Sequence, residues 1–470
     1  MEKSQAGRPE DDGGSARPGQ GPTEKQKGKH VEKYKVGAIS LGCNKNRVDT
    51  EAALGLLKSS GFLFTDHPQE ADILLVNTCG FIESAKQESI DTILEMASYK
   101  ETGACRLLVV TGCLAQRYQE ELMREIPEID LLLGVNQYES LPEAIRRALG
   151  GKRISSCQDD FHYFEQSRVL TTPSYSAYIR IGEGCSNRCS FCAIPLIRGP
   201  YRSRGKEQIL SEMRQLAEAG VREQILVAQD TTKYGVDFPQ RITLAQLMRE
   251  AAETEGLEWL RVLYCYPDET TEELLDLIAG HDRICSYLDL PIQHINSDIL
   301  RSMRRRGTRE DIVRCVRGAR ARGLTLRTSI IVGYPGETED QFRELLDFVE
   351  EAQFDRLGAF MYSPEEDTPA EKMPDQIPEE VKQERFDRLM TLQQRVSLER
   401  NRLRVGQSER VLITDVDPGR KTALGRSQHE APETDGEILI RYHGDAPVIG
   451  QFTRATITEA GPYDLTAEIR

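Results

Sequence analysis

Gly184-Cys185-Ser186-Asn187-Arg188-Cys189-Ser190-Phe191-Cys192 sets three thiols at Cys-x3-Cys-x2-Cys spacing. A closed structural zinc site needs four nitrogen or sulfur ligands in a tetrahedron, and the nearest histidine, His162, stands 23 residues upstream. Three thiolates instead suit a four-iron cluster with one iron left open to a substrate, whereas an electron-transfer cluster normally takes four cysteines. A second trio, Cys43, Cys79 and Cys113, is spread 36 and 34 residues apart. Each of these follows a short apolar run that reads as a strand. Taken singly, each is a small buried filler; three at successive strand-to-helix turns favour convergence as ligands, because those strand ends line the crevice of an open α/β sheet.

Elements that position the thiols are legible in the alternation of apolar runs and helical segments. Residues 35–41 read as a strand, with a Gly-Cys turn and a helix from about residue 46 to 60 stopped by Gly61. The unit recurs with a strand at 71–77 and a helix to about 98, then a strand at 106–111 and a helix to about 125. A strand at 130–133 and a helix at 141–149 follow. Such alternation predicts a parallel, doubly wound α/β domain over residues 34–150. Residues 151–173 read as a polar linker. A second βα series occupies 174–400, with strands at 178–181, 224–228, 260–264, 287–290, 325–332 and 356–360. Six βα units predict a partial barrel with its active face at the strands' carboxyl ends. A long charged helix over 379–403 follows it. Residues 401–470 alternate in short strands between Gly, Pro and Asp turns, as in a small all-β barrel. Residues 1–33, with six Gly and three Pro and no apolar periodicity, read as a disordered tail.

Composition bounds the function. The chain has 470 residues, enough for about three domains. With 39% hydrophobic and 29% charged residues and no apolar run near ~18 residues, a membrane protein is excluded and a cytoplasmic location expected. Eleven cysteines, an odd number, fit metal ligation there better than disulfides. A net charge of −15 argues against simple attraction to a nucleic-acid backbone.

Other candidates lie on the predicted carboxyl face. Gln229 and Asp230 follow the second barrel strand, Gln293 and His294 the fourth, and Gly333-Tyr334-Pro335-Gly336-Glu337 the fifth. Gly333 and Gly336 would let backbone approach a bound nucleoside, or form an ordinary connection; His294 is either a ligand or a polar residue packed under its loop. Arg198, Arg202 and Arg204 either neutralise a carboxylate or form a solvated basic face. Cys105, Cys157, Cys265, Cys285 and Cys315 lack the placement of the six and read as structural thiols.

The cysteine motif after the first strand of a βα barrel, followed by Phe191 and a basic segment, resembles the radical S-adenosylmethionine superfamily. The resemblance implies that Cys185, Cys189 and Cys192 bind a 4Fe-4S cluster and generate a 5′-deoxyadenosyl radical. Leu41-Gly42-Cys43-Asn44-Lys45-Asn46, Asn77-Thr78-Cys79 and Thr111-Gly112-Cys113 precede that core, and a small β domain similar to the RNA-associated TRAM module follows it. From about Tyr34 to its end the chain therefore resembles the methylthiotransferase family. Two 4Fe-4S clusters are implied, the second on Cys43, Cys79 and Cys113, with S-adenosylmethionine as both methyl donor and radical source.

Members of that family modify a tRNA adenosine or an aspartate of ribosomal protein uS12. Gly-Cys-Asn-Lys-Asn-Arg-Val-Asp-Thr-Glu at 42–51 is similar to the ribosomal-protein branch, the tRNA branch usually having Gln-Met-Asn after the cysteine; 228–235 and 288–294 are similar to it too. Residues 401–470 hold 9 Lys and Arg against 11 Asp and Glu. A domain gripping phosphates should be basic, so a basic protein is the better partner. The expected reaction is methylthio transfer to the β carbon of an aspartate of uS12, free or within the small ribosomal subunit. A monomer served by an electron donor such as flavodoxin or ferredoxin is expected. The alternatives are a tRNA adenosine acceptor and a non-catalytic iron–sulfur protein associated with the ribosome.

Overall fold

The structure, a computed structural model, describes residues 34–158 and 168–469. The tail assigned to residues 1–33, and His162, lie outside the described residues. Strands β1 (Lys35–Ser40), β2 (Leu63–Phe64), β3 (Ile73–Thr78), β4 (Leu107–Gly112), β5 (Leu131–Leu133) and β6 (Ile154–Ser156) form one sheet ordered β2-β1-β3-β4-β5-β6. Every pairing in it is parallel.

Alternation along each strand decides which helix it meets. Ile73, Leu75, Leu107 and Val109 pack on Ala53, Leu56 and Leu57 of α1 (Asn44–Ser59). The intervening Leu74, Val76, Leu108 and Val110 pack on Ile93, Met96 and Ala97 of α2 (Glu83–Thr102). Helices on both faces make this the expected doubly wound domain. Two edge strands were not expected. Two-residue β2 is exposed, and three-residue β6 falls in the segment read as an irregular linker; neither carries enough apolar pattern to be legible. The strand order reverses between β1 and β3, the place where such sheets open a ligand crevice, and Cys43 and Cys79 follow those two strands.

The central region begins with β7 (Ser176–Arg180) and a hairpin of β8 (Gly182–Glu183) with β9 (Arg202–Ser203). Strands β10 (Glu223–Val227), β11 (Trp259–Val262), β12 (Tyr287–Asp289), β13 (Thr325–Val332) and β14 (Arg356–Met361) complete it. Two parallel sheets, β7-β10-β11 and β12-β13-β14, are joined by a parallel bridge between Leu260 and Ile284. All six predicted barrel strands are present in sequential order. Ile179, Leu226, Leu260 and Val262 point out among the surrounding helices. Tyr178, Ile225, Val227, Trp259 and Tyr287 alternate with them and meet Leu412, Ala431 and Phe452 of the C-terminal domain.

That domain is a closed barrel of β15 (Ser408–Asp417), β16 (Thr422–Ser427), β17 (Ile438–Tyr442), β18 (Phe452–Ala460) and β19 (Leu465–Ile469), ordered β15-β16-β17-β19-β18. The helix Glu379–Arg402 links it to β14. Its inner face is unexpectedly polar: Lys382 Nζ donates to the Tyr362 carbonyl at 2.9 Å, Gln393 to that of Phe354 at 2.8 Å and Asn401 to that of Gly461 at 2.9 Å.

Buried charge fixes the C-terminal domain on the barrel. Glu223, fully buried on β10, accepts from Arg426 Nη2 at 2.6 Å and from Ser176 at 3.1 Å, with Arg261 at 3.4 Å. Burial alone would raise its pKa, but Arg426 and Arg261 hold the carboxyl below its usual range. Breaking one partner of such a pair costs about 3–5 kcal/mol. Arg426→Met is expected to lower the unfolding free energy by about that amount at pH 7, measured by urea denaturation. Because the folded pKa is depressed, the pair's contribution is full above the ordinary carboxylate value and fades as pH falls below it. The difference between wild type and variant should therefore shrink in acid; a difference independent of pH would contradict the assignment.

Candidate functional site

The first thiol set is assembled by the sheet. Cys43 caps the N-terminus of α1 just beyond β1, Cys79 follows β3, and Cys113 opens the short helix α3 (Cys113–Arg117) after β4. Close approach requires glycine beside two of them. Gly42 has φ +82°, and a Cβ on it would stand 2.8 Å from Cys79 Sγ; Gly112 has φ +99°, and its Cβ would stand 2.7 Å from Thr78 N. The three turns therefore bring Cys43, Cys79 and Cys113 to one end of the sheet. Burial raises the Cys79 thiol, with a further push from Cys43. Burial likewise pushes Cys113 up to about 12, against the pull of Arg198 and with additional push from Cys43 and Cys79.

The second set sits on the loop between β8 and the helix Ile194–Arg198. Gly184 has φ +72°, where a Cβ would lie 2.6 Å from the Gly199 carbonyl. Cys185 N–H donates to that carbonyl at 3.0 Å, and Cys192 N–H to the Cys189 carbonyl at 3.1 Å. Ser190 anchors the loop, its hydroxyl donating to the Ser302 carbonyl at 2.9 Å and its N–H to Met303 at 3.0 Å. Burial pushes the Cys185 thiol up to about 11, and burial with Cys189 raises Cys192. Arg305 Nη1 lies 3.6 Å from Cys189 Sγ, and its guanidinium stacks 4.2 Å from the Tyr266 ring centroid.

Between the two sets lies a residue whose role the sequence left open. Arg198 is 2% exposed and is no part of a solvated basic face. Its guanidinium donates to both Glu183 carboxylate oxygens at 3.1 Å, to Asp49 Oδ2 at 2.8 Å and to Asn46 Oδ1 at 2.7 Å, and reaches Cys113 Sγ at 3.5 Å. Arg180 pairs with the same Asp49 and Glu183. Burial alone would raise the Glu183 pKa, yet Arg198 and Arg180 pull it to about 2. One cation thus ties α1 and a thiol of the first set to the strand that precedes the second. Arg204 pairs instead with Glu212, and Arg202 donates to the Pro200 carbonyl at 2.9 Å.

The remaining candidates divide between the site and the packing beneath it. Gln229 Nε2 donates to Glu183 at 3.1 Å, and its buried Oε1 has no hydrogen-bond partner among the described residues. Asp230, 1% exposed, accepts from Asn187 of the cysteine loop at 2.9 Å and pairs with Arg306 at 3.3 Å. Gln293, in the segment beyond β12, adopts φ +70° and bridges to Ile330 of β13. His294 is fully buried: Nδ1 accepts from Asn296 N–H at 3.0 Å, and Nε2 faces Glu337 at 3.5 Å. Gly333 lies under Lys382, against which a Cβ would collide, while Gly336 faces open space and donates to the Asp375 carbonyl at 2.9 Å. Cys105, Cys265, Cys285 and Cys315 are buried and Cys157 is half-buried.

Among the described residues, no three His, Cys, Asp or Glu side chains gather as for a single metal ion. A zinc tetrahedron holds every sulfur ~2.3 Å from one point, whereas each cysteine of an iron–sulfur cluster serves a different iron. Two all-thiol donor sets, each with one guanidinium directed at a sulfur, fit four-iron clusters.

Family models match along the chain: the radical SAM superfamily over residues 179–349, Uncharacterized protein family UPF0004 over 35–134, and the TRAM domain over 405–469. A protein of Desulforamulus reducens named ribosomal protein uS12 methylthiotransferase RimO is 48% identical over 441 residues, covering 92% of this chain and 99% of that protein. The chain belongs to the RimO family. A RimO of Clostridioides difficile is likewise 48% identical over 439 residues, covering 93% of this chain and 98% of its own. Among solved structures, the radical S-adenosylmethionine methyltransferase TsrM of Kitasatospora setae, with cobalamin and a 4Fe-4S cluster bound, shares the fold at TM-score 0.53. It has 17% identity over 72% of this chain and 74% of that one.

In this RimO family member the Arg198 contacts hold the two thiol-bearing regions in register. Arg198→Met leaves Asp49 and Glu183 buried with Arg180 as their shared cation and is expected to cost about 3–5 kcal/mol. Urea denaturation should show the loss together with faster proteolysis between the N-terminal domain and the barrel. Unchanged stability would mean that the guanidinium does not join them.

Proposed function

We propose that this protein transfers a methylthio group to the β carbon of an aspartate in ribosomal protein uS12. The observation that carries the reading is the pair of three-thiol sets, one reached by Arg198 at Cys113 and the other by Arg305 at Cys189, in a chain 48% identical over nearly its whole length to proteins named for that reaction. In this reading Cys185, Cys189 and Cys192 hold one 4Fe-4S cluster and Cys43, Cys79 and Cys113 the other. Held by Cys185, Cys189 and Cys192, the first cluster would supply the one-electron reduction of S-adenosylmethionine, a chemistry that reaches unactivated C–H bonds.

The chain's own residues make such chemistry selective. Asp230 and Ser190 hold the cysteine loop from opposite sides. Arg305 offers an N–H to Cys189 Sγ, compensating thiolate charge in a site from which water is largely excluded. Gln229, with its unsatisfied buried oxygen, offers an acceptor beside the loop. Tyr178, Trp259 and Tyr287 close the barrel below, so a radical formed at its mouth meets no bulk water from that side. The β carbon of an aspartate is too weakly acidic for deprotonation by an ordinary side chain, which favours hydrogen-atom removal. The partners in this reading are uS12, free or in the small subunit, and a flavodoxin- or ferredoxin-type donor; the protein acts as a cytoplasmic monomer. No helix is long and apolar enough to cross a membrane among the described residues.

Mass spectrometry of uS12 and of tRNA nucleosides from cells with and without the gene tests the acceptor. A methylthio mass lost from uS12 alone is expected, and loss from tRNA alone would overturn the reading. Anaerobically reconstituted protein should carry about eight iron atoms per chain, falling to about four in either Cys189→Ala or Cys113→Ala. Only Cys189→Ala should also abolish 5′-deoxyadenosine formation; wild-type iron near one cluster would remove the second set from the mechanism.

A further inference from the structure

Lys45, in the first turn of α1, is 7% exposed, and no carboxylate or hydrogen-bond acceptor faces its ammonium among the described residues. Its one partner there is the ring of Tyr264, whose centroid lies 3.4 Å from Nζ. That isolation is unusual in this molecule. Lys86 pairs with Glu83 and Glu365, Lys382 with Glu379 and the Tyr362 carbonyl, and Arg261 with Glu223. A buried cation without an anion is costly, and a desolvated cation–π contact returns only about 2 kcal/mol.

The surroundings are prepared for an anion. Neither an acidic residue nor a side-chain cap neutralises the first turn of α1, so its free N–H groups and positive dipole end add to the lysine's charge. Neighbouring Asn44 donates to Tyr264 Oη at 3.4 Å. Tyr264 itself is held at φ +62°, a conformation costly for a bulky side chain. Asp289 Oδ2 accepts its N–H at 2.9 Å, and its carbonyl accepts from Thr231 N–H at 3.1 Å. The thiols have a different cation: the guanidinium facing Cys79 and Cys113 is that of Arg198. Lys45 lies two residues beyond Cys43 and against the carboxyl end of β11, where the N-terminal domain meets the mouth of the barrel.

We propose that Lys45, oriented by Tyr264, receives the carboxylate of the acceptor aspartate and so determines acceptor specificity. The inference rests on the proposed uS12 aspartate acceptor and names the group that recognises it. A nucleobase carries no carboxylate to pair with this ammonium. S-Adenosylmethionine carries the other carboxylate available to the site, and the test separates the two sources.

Dissociation constants of the cluster-loaded protein are measured for purified uS12, for uS12 with the acceptor aspartate changed to asparagine, and for S-adenosylmethionine. Wild type should bind the aspartate form about tenfold tighter than the asparagine form. Lys45→Met should bind both forms alike, at the level wild type shows for asparagine, with circular dichroism and iron content reporting the fold. Lys45→Gln, which keeps a polar stem without charge, should lose the discrimination too, and Lys45→Arg should retain part of it. Discrimination that survives in Lys45→Met or Lys45→Gln overturns the proposal. So does weaker S-adenosylmethionine binding with acceptor preference intact, which would assign the lysine to the cofactor. Wild type that binds neither form of uS12 would instead sink the acceptor reading, and the proposal with it.

Discussion

The guanidinium of Arg198 lies between Asp49 of α1 and Glu183 of the cysteine-loop hairpin, with Cys113 within reach of the same nitrogen. Two carboxylates and two guanidiniums, counting Arg180, leave this buried group electrically balanced. Such a cluster adds little net stability over an apolar filling of the same shape. What it adds is register, because planar donors and carboxylates fit together in few ways. An apolar contact would tolerate sliding of the N-terminal domain over the barrel; this one does not. The distance between the two thiol sets is set by it.

Much of the architecture was legible because the chain writes it locally. Apolar runs such as those of β3 and β4 are long, bounded by glycine and followed by helical periodicity, and the six barrel strands appear within a few residues of their expected positions. The positions of Cys43, Cys79 and Cys113 were legible for the same reason, since each follows a strand, β1, β3 or β4. Edge strands β2 and β6 were not, being too short to show a period. Nor was the Arg198 group: Asn46, Asp49, Glu183 and Arg198 come from separate elements, and nothing in a local window distinguishes a buried arginine from a solvated one. His294 had two readings on sequence, and its complete burial against Asn296 and Glu337 supports the packing one.

The C-terminal domain contributes more than a surface for a partner. Leu412, Ala431 and Phe452 meet the inward side chains of the first barrel strands, and Trp259 stands edge-on to Phe452 at 4.6 Å. With the Glu223 ion pairs, this contact stoppers one end of the barrel. Both thiol sets lie toward the opposite end.

The glycine at 112 has a mechanical meaning. Because the β4 turn rests on the backbone of Thr78 with no room for a methyl group, Cys79 and Cys113 ride on one stiff platform, and neither can shift without dragging the other strand. Cys43 is the exposed member of the set, yet its turn is braced on the same platform, since a Cβ on Gly42 would stand 2.8 Å from Cys79 Sγ and Asn46 donates to the Thr78 carbonyl at 2.7 Å. The three turns are therefore braced on one another at their base, and solvent reaches the set from the side of Cys43.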